Sequence, residues 1–302
     1  MSATRRRLDR ERWHFQHGPI DCIVSAAGDR DAVDAASERA WLRFRTILAE
    51  LVDELALLRA DRSASPPPAR PLGAVARRMV AACDPHAADG RFITAMAAVA
   101  GSVAEEIVAA FDAPGVARAA VNNGGDIALR LAPGESFVVG VCADPSIARF
   151  ASPLDGRFAV DSTSPVRGIA TSGWRGRSFS LGIADSVTVL APTAAAADAA
   201  ATIVANAVDV DDAGIVRAPA SSVRDDSDLG NRLVTRAVPT LSAELVAAAL
   251  ARGAAEARRQ IDAGRIVAAV LSLQGRWSVV GDVDVAMPPP RSLPAPRPLA
   301  VC

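Results

Sequence analysis

The sequence predicts an α+β layer fold, an antiparallel-rich sheet with helices packed on it. Three observations carry that expectation. Short valine- and isoleucine-rich runs recur between Pro, Gly and Asp turns, the pattern of strands. The helical segments are long and rich in alanine, so they can lie close on a sheet. Strands and long helices also come in separate groups, which disfavours a parallel sheet wound with alternating crossovers. With 302 residues, half of them hydrophobic, the chain can bury a full core.

In chain order, residues 1–12 carry Arg5, Arg6 and Arg7 and read as an N-terminal extension. A short strand follows over 20–25, after a Gly-Pro turn. His14 and His17 stand three apart before it, but no Cys, Asp or Glu sits at matching metal spacing, so they read as edge-strand histidines. Residues 31–59 repeat apolar side chains with helical period. Ser63 to Pro68 breaks that helix as a linker or loop biased to extended backbone. Further helices are expected over 73–83 and 92–111, the latter with small residues on nearly every turn and so packed very close to a sheet.

Strand patterns then fill 117–131, 137–141, 156–160 and 166–170. Residues 186–190 are a β-branched run, and Thr193 behind Pro192 is an N-cap for an alanine helix over 193–207. The chain is then polar through 225–228. A long helix over 242–262 precedes a strand pair, 266–273 and 277–280, turned at Gln274-Gly275. Residues 286–302 hold too much proline to join a core and read as a disordered tail, leaving 13–285 as the folded domain.

The net charge of −1 gives no field favouring nucleic acid or an anionic membrane. No apolar run reaches the ~18 residues of a membrane span, and no signal core opens the chain, so a cytoplasmic protein is expected. The four cysteines have no C-x-x-C spacing, which indicates neither a zinc knuckle nor a disulfide framework. All 33 basic residues are arginine, so no Walker lysine exists.

Three segments carry chemistry. Asn122-Asn123-Gly124-Gly125-Asp126 interrupts a strand pattern. Its glycines would expose backbone N–H groups to a flat ligand, with Asp126 as acceptor for a ring N–H or ribose hydroxyl. An Asn-Gly hairpin turn is the plainer reading, but a second Gly-Asp would leave the flanking strands in odd register. Thr171-Ser172-Gly173-Trp174-Arg175-Gly176-Arg177-Ser178 places two hydroxyls and two guanidiniums on a glycine loop, suited to phosphate or carboxylate. In so arginine-rich a chain, a solvated loop fits as well. Asp198, Thr202 and Asn206 recur every fourth residue along one helix face. Asp198 and Thr202 are hard oxygen donors suited to Mg²⁺, although one carboxylate is too weak to hold the ion alone. On residue chemistry, a helix-start acid with a threonine bonding back along the helix is the stronger reading.

In this order, G-G-D (124–126), T-S-G (171–173) and A-D-A-A-A-T (197–202) resemble the ApbE-like family, relatives of FAD:protein FMN transferases. The closer resemblance is to an uncharacterised (UPF-series) sister branch, through W-H-F-Q-H-G-P-I-D from Trp13, M-A-A-V-A-G from Met96, N-N-G-G-D-I-A-L from Asn122 and T-S-G-x-x-G-R-S from Thr171. The resemblance covers roughly residues 13–275. It implies a T-fold-like α+β domain, a flavin such as FAD held with magnesium, and Asp198 and Thr202 at the metal positions. One segment departs: the family's His-Ile-Ile-Asp-Pro stretch, which holds FAD, is here 178–185 without its histidine or proline. Two expectations follow. One is a Mg²⁺-dependent enzyme acting on a phosphorylated ring ligand, with flavin or nucleotidyl transfer. The other is a non-catalytic binding or accessory module of a redox system. A homo-oligomer is left open.

Overall fold

The computed structural model describes residues 2–65, 68–141, 156–176 and 178–283. The strands are β1 (Thr4–Arg7), β2 (Arg12–His17), β3 (Ile20–Gly28), β4 (Val116–Asn123), β5 (Asp126–Leu131), β6 (Ser136–Val141) and β7 (Gly156–Asp161). They continue with β8 (Gly168–Ser172), β9 (Ser186–Ala191), β10 (Val216–Pro219), β11 (Leu233–Ala237), β12 (Ala268–Leu273) and β13 (Arg276–Gly281). The helices are α1 (Arg30–Asp53), α2 (Leu55–Leu58), α3 (Ala74–Ala88), α4 (Val99–Val108), α5 (Ala194–Ala207), α6 (Ala220–Val223) and α7 (Ala243–Asp262).

Nine strands make one sheet in the order β1-β2-β3-β4-β5-β8-β9-β12-β13, antiparallel at every pairing. This is the antiparallel α+β architecture that the grouped strands predicted. The helices bury two apolar clusters. Phe15, Val24 and Val121 of the sheet pack with Phe44 of α1 and Ile107 of α4. Val187, Val189 and Leu271 pack with α5 and with Val246 and Leu250 of α7. The hairpin β6–β7 contributes Phe158 and Val160 to a third cluster with Leu129, Ile169 and Leu190, which covers the other side of the middle strands. Strands β9 and β12 are therefore buried at every residue, which explains their unbroken apolar sequence.

Helix α5 packs closely on its neighbours. Thr193 caps it as expected, its Oγ1 accepting from Ala196 N at 3.2 Å. Alanine on the buried faces lets the neighbours come in to backbone contact. A methyl built on Gly168 of β8 would stand 2.2 Å from the Thr193 carbonyl. One built on Gly101 of α4 would stand 2.2 Å from the Ala194 oxygen.

Three differences from the sequence reading have local causes. Residues 4–7 of the N-terminal extension form β1 outside β2, so the His14 strand is not an edge; its Nε2 is 2.9 Å from Asp21 Oδ1. The helix expected from Phe92 begins as a 3-10 turn at Ala95, because Thr94 bridges Asp61 and Arg62 N donates to the Ile93 carbonyl. Strands β10 and β11 went unpredicted, being short and half exposed. The tail at 286–302 lies outside the described residues.

Candidate functional site

The hairpin β4–β5 begins the site. Asn123 pairs with Asp126, so Gly124-Gly125 is a two-residue turn with φ of 70° and 116°. Two positive φ values in succession are the reason for two glycines. This corrects the expectation that a second Gly-Asp would upset the register: the turn closes in register and sets Asn123 against Asp126. Asn122 Oδ1 closes the turn by accepting from Gly125 N at 2.8 Å. The buried Asn123 donates its Nδ2 to the Ala100 carbonyl at 3.2 Å and so fixes the hairpin to α4.

Strands β5 and β8 pair only at Ile127–Ile169 and Ala128–Gly168. One step further Asp126 takes over, its Oδ1 accepting from Thr171 N at 3.3 Å. Thr171 Oγ1 is in turn 2.9 Å from Thr188 Oγ1. The Thr-Ser-Gly segment thus ends β8 beside the glycine turn, far away in sequence.

Asp198 reaches the same place from α5. Its Oδ2 accepts from Gly101 N at 2.9 Å, and the Ala100 N–H also supports the carboxylate. These amides belong to the first turn of α4, whose own N-cap position, Ala98, offers no side-chain acceptor. Asp198 therefore caps a neighbouring helix across the core. The exchange is mutual, since Glu105 Oε2 of α4 accepts from Ala195 N at the start of α5, at 3.2 Å.

Asp126 and Asp198 are both half-buried, and the charge of Asp126 acts on Asp198. Burial pushes the Asp126 carboxyl up to about 7, with the Thr171 amide pulling the other way. Burial, and then the charge of Asp126, push Asp198 well above the usual carboxylate range. No basic side chain among the described residues forms an ion pair with either. A folded-state pKa above the unfolded value means stability that is complete below about pH 4 and lost as pH rises through about 7. The metal-free protein should accordingly melt lower at pH 8 than at pH 6, and Asp126→Asn should flatten that decline. A thermal melt series with chelator checks this, and an unchanged slope in the variant would assign the decline to other groups.

The other predicted residues fall around this pair. Ser172 is half-buried beside Thr171. Gly173 is packed so closely that a methyl there would meet the Asp185 carbonyl at 2.4 Å. Arg175 turns to Asp185, Nε to Oδ1 2.9 Å, and lies over the Trp174 ring at 4.8 Å. Arg177 lies outside the described residues, and Ser178 is exposed. Thr202 is half-buried one turn beyond Asp198. Asn206, third in that line, points its amide elsewhere. Its Oδ1 accepts from Leu181 N at 2.9 Å and holds 180–182 against α5.

Sequence reasoning missed Asp185. It also accepts from Trp174 Nε1 at 3.3 Å and from Gln274 N at 2.6 Å, so it pins the Thr-Ser-Gly loop to the β12–β13 turn. A lone acid just before a buried strand was the only signal.

Two carboxylates without a cationic partner suit a divalent cation. Asp126 Oδ2 accepts no hydrogen bond from a described residue, and the Thr202 hydroxyl stands on the same helix face as Asp198. Among the described residues no three His, Cys, Asp or Glu side chains gather as a complete metal site, so ligand or water oxygens would have to finish the shell. Two grooves lie elsewhere, one of about 500 Å³ between Arg7 and Glu38 and one of about 550 Å³ between α7 and β13.

Residues 5–279 match the family described as AbpE bacteria, and the chain belongs to that family. It is 41% identical over 124 residues to a UPF0280 protein of Methanoculleus marisnigri, covering 40% of this chain and 48% of that one. It is 38% identical over 138 residues to a UPF0280 protein of Methanopyrus kandleri, covering 46% and 51%. The chain spans about half the length of the curated relatives it matches. These relationships bear out the UPF-series branch suggested by the motifs. The apo crystal structure of the flavinyl transferase ApbE of Pseudomonas stutzeri aligns with a TM-score of 0.48 and 13% identity, over 93% of this chain and 95% of that one. No helix among the described residues is long and apolar enough to cross a membrane.

Proposed function

We propose that this protein holds a flavin, FAD or another phosphorylated ring ligand, together with Mg²⁺, at the Asp126–Asp198 pair, and that flavin or nucleotidyl transfer in the cytoplasm is its reaction. The observation that carries the reading is the pair itself: two half-buried carboxylates with raised proton affinity and no ion-pairing base among the described residues. Such a pair is costly unless a proton or a cation neutralises it. A divalent ion bound by Asp198, Thr202 and Asp126 leaves positions for phosphate oxygens. Asn122, Asn123, Gly124 and Gly125 would then border the ring, while the Thr171–Gly173 amides and hydroxyls, with Arg175, Arg177 and Ser178, would border the phosphates. Membership of the AbpE family supports flavin chemistry as the class.

A non-catalytic binding module is the second reading, favoured by the segment at 178–185. It lacks the histidine and proline of the related proteins, and Asn206 and the close approach of Gly182 to Ala205 tie it to α5.

Quenching of flavin fluorescence tests the binding, with FMN, FAD and riboflavin compared in Mg²⁺ and in chelator. The phosphorylated flavins are expected to bind at least about tenfold more tightly in Mg²⁺ than in chelator, and riboflavin to gain nothing from the metal. Absence of binding by FMN and FAD at saturating Mg²⁺ would sink the flavin assignment. Incubation of bound FAD and Mg²⁺ with acceptor proteins then separates transferase from binder, by the appearance of a protein-linked flavin.

A further inference from the structure

The two ends of the nine-stranded sheet differ. At one end β1 reads Thr-Arg-Arg-Arg, and an edge lined with charge resists pairing with another strand. At the other end β13 carries Trp277, Val279 and Val280, with Val279 exposed and charge only at Arg276. Among the described residues nothing pairs with the outer side of β13. Alongside it runs the groove of about 550 Å³, walled by Ala247, Ala251 and Ala254 of α7 and by Arg258, Arg276 and Ser278. An unprotected apolar edge beside an open groove is a surface prepared for another strand and helix.

The pattern on α7 says which. Glu244, Ala247, Ala251, Ala254 and Arg258 follow one another at steps of three and four, so they share one face. Glu244 and Arg258 lie seven residues on either side of Ala251, and both are exposed. Arg258 has no ion pair among the described residues. Turn a second α7 antiparallel about Ala251, and each Glu244 meets the Arg258 of the other copy. The face is complementary to itself, as a two-fold interface requires.

Strand and helix also share one centre. Leu241, just before α7, donates to Gln274 Oε1 at 3.0 Å, just before β13. At the far end, a methyl on Gly281 would stand 2.9 Å from Ile261 Cδ1. The middle of α7 therefore lies beside the middle of β13. Helix α7 rests on β12 and β13 together, burying Leu250 with Leu271 and Val280. A partner sheet continued through β13 would place its own α7 two strand spacings away, about 9–10 Å, which is a normal distance between packed helices. One axis thus satisfies both contacts.

We infer that two copies of this chain join through β13 and α7, making one continuous sheet with the α7 helices side by side across a two-fold axis near Ala251. The measurement is sedimentation velocity of the full chain across a micromolar dilution series. The parent should be dimeric. Ala251→Arg, exposed and still a good helix former, should be monomeric with unchanged circular dichroism and melting. Glu244→Arg should raise the dissociation constant about tenfold, because like charges then face each other twice. Glu244→Arg with Arg258→Glu should restore parental affinity, which a merely structural role for either residue would not produce. A full chain that stays monomeric, an Ala251→Arg protein that still dimerises, or a double variant as weak as Glu244→Arg would each overturn the assignment. Removing 284–302 separates the remaining occupant. An unchanged dimer supports the two-fold contact, whereas a dimer seen only after removal would mean the chain's own tail covers β13.

Discussion

Gly168→Val should be among the most damaging single substitutions in the chain, costing about 3 kcal/mol or more of stability. The Cβ of any residue at 168 would lie 2.2 Å from the carbonyl carbon and oxygen of Thr193 and 2.3 Å from Ala194 N. Those atoms are backbone, so no rotamer change relieves the overlap. Either β8 retreats from β9, where Gly168 pairs with Ala191, or the first turn of α5 lifts off the sheet. The second would break the Thr193 cap and carry Asp198 away from α4, so the candidate site would fail with the fold. Gly125→Ala is the useful contrast. A methyl there meets nothing within 4 Å, and its φ of 116° leaves only backbone strain, about 1–2 kcal/mol. Urea unfolding of both variants measures the difference. A Gly168→Val protein within about 0.5 kcal/mol of the parent would show that β8 and α5 are not in backbone contact.

The same glycine shows what the sequence could and could not reveal. A strand near 166–170 and a helix from Thr193 are both readable, because β-branched runs and N-caps are local signals. That the two elements touch at Gly168 and Thr193 is a tertiary fact, with no trace in either segment alone. Grouping the strands was enough to predict an antiparallel sheet. The extra edge strand β1 was not, since its arginines look like a charged extension until β2 is seen to need a neighbour. At the site the divide is similar. Asp126, Thr171 and Asp198 could be named from motif resemblance, and the structure brings them together. The reading of Asp198 as a helix-start acid had the right physics on the wrong helix: the carboxylate serves the first turn of α4, not of α5. Asp185 and Asn206 were invisible as clamps, because Gln274 and Leu181, which they hold, lie 89 and 25 residues away along the chain.

That double duty of Asp198 sets the sharpest test of the metal reading. Asp198→Asn keeps a carbonyl oxygen that can accept from Gly101 N, so α4 stays capped, while the charge needed for a cation is gone. Removing that charge also relieves Asp126, so the metal-free variant should be no less stable than the parent at pH 8. Asp198→Ala loses charge and cap together, and should cost about 1 kcal/mol in addition. The effect on binding is larger. In the parent, Mg²⁺ should raise the affinity for FMN or FAD at least about tenfold, because the ion is shared between one side's carboxylates and the other's phosphate oxygens. In Asp198→Asn that coupling should vanish, leaving one weak affinity with or without metal. By linkage, flavin phosphate must strengthen Mg²⁺ binding by the same factor in the parent and by none in the variant. Calorimetric titration of each ligand in the presence and absence of the other measures both sides of the cycle. Equal flavin affinity with and without Mg²⁺ in the parent would leave Asp198 as the cap of α4 and nothing more.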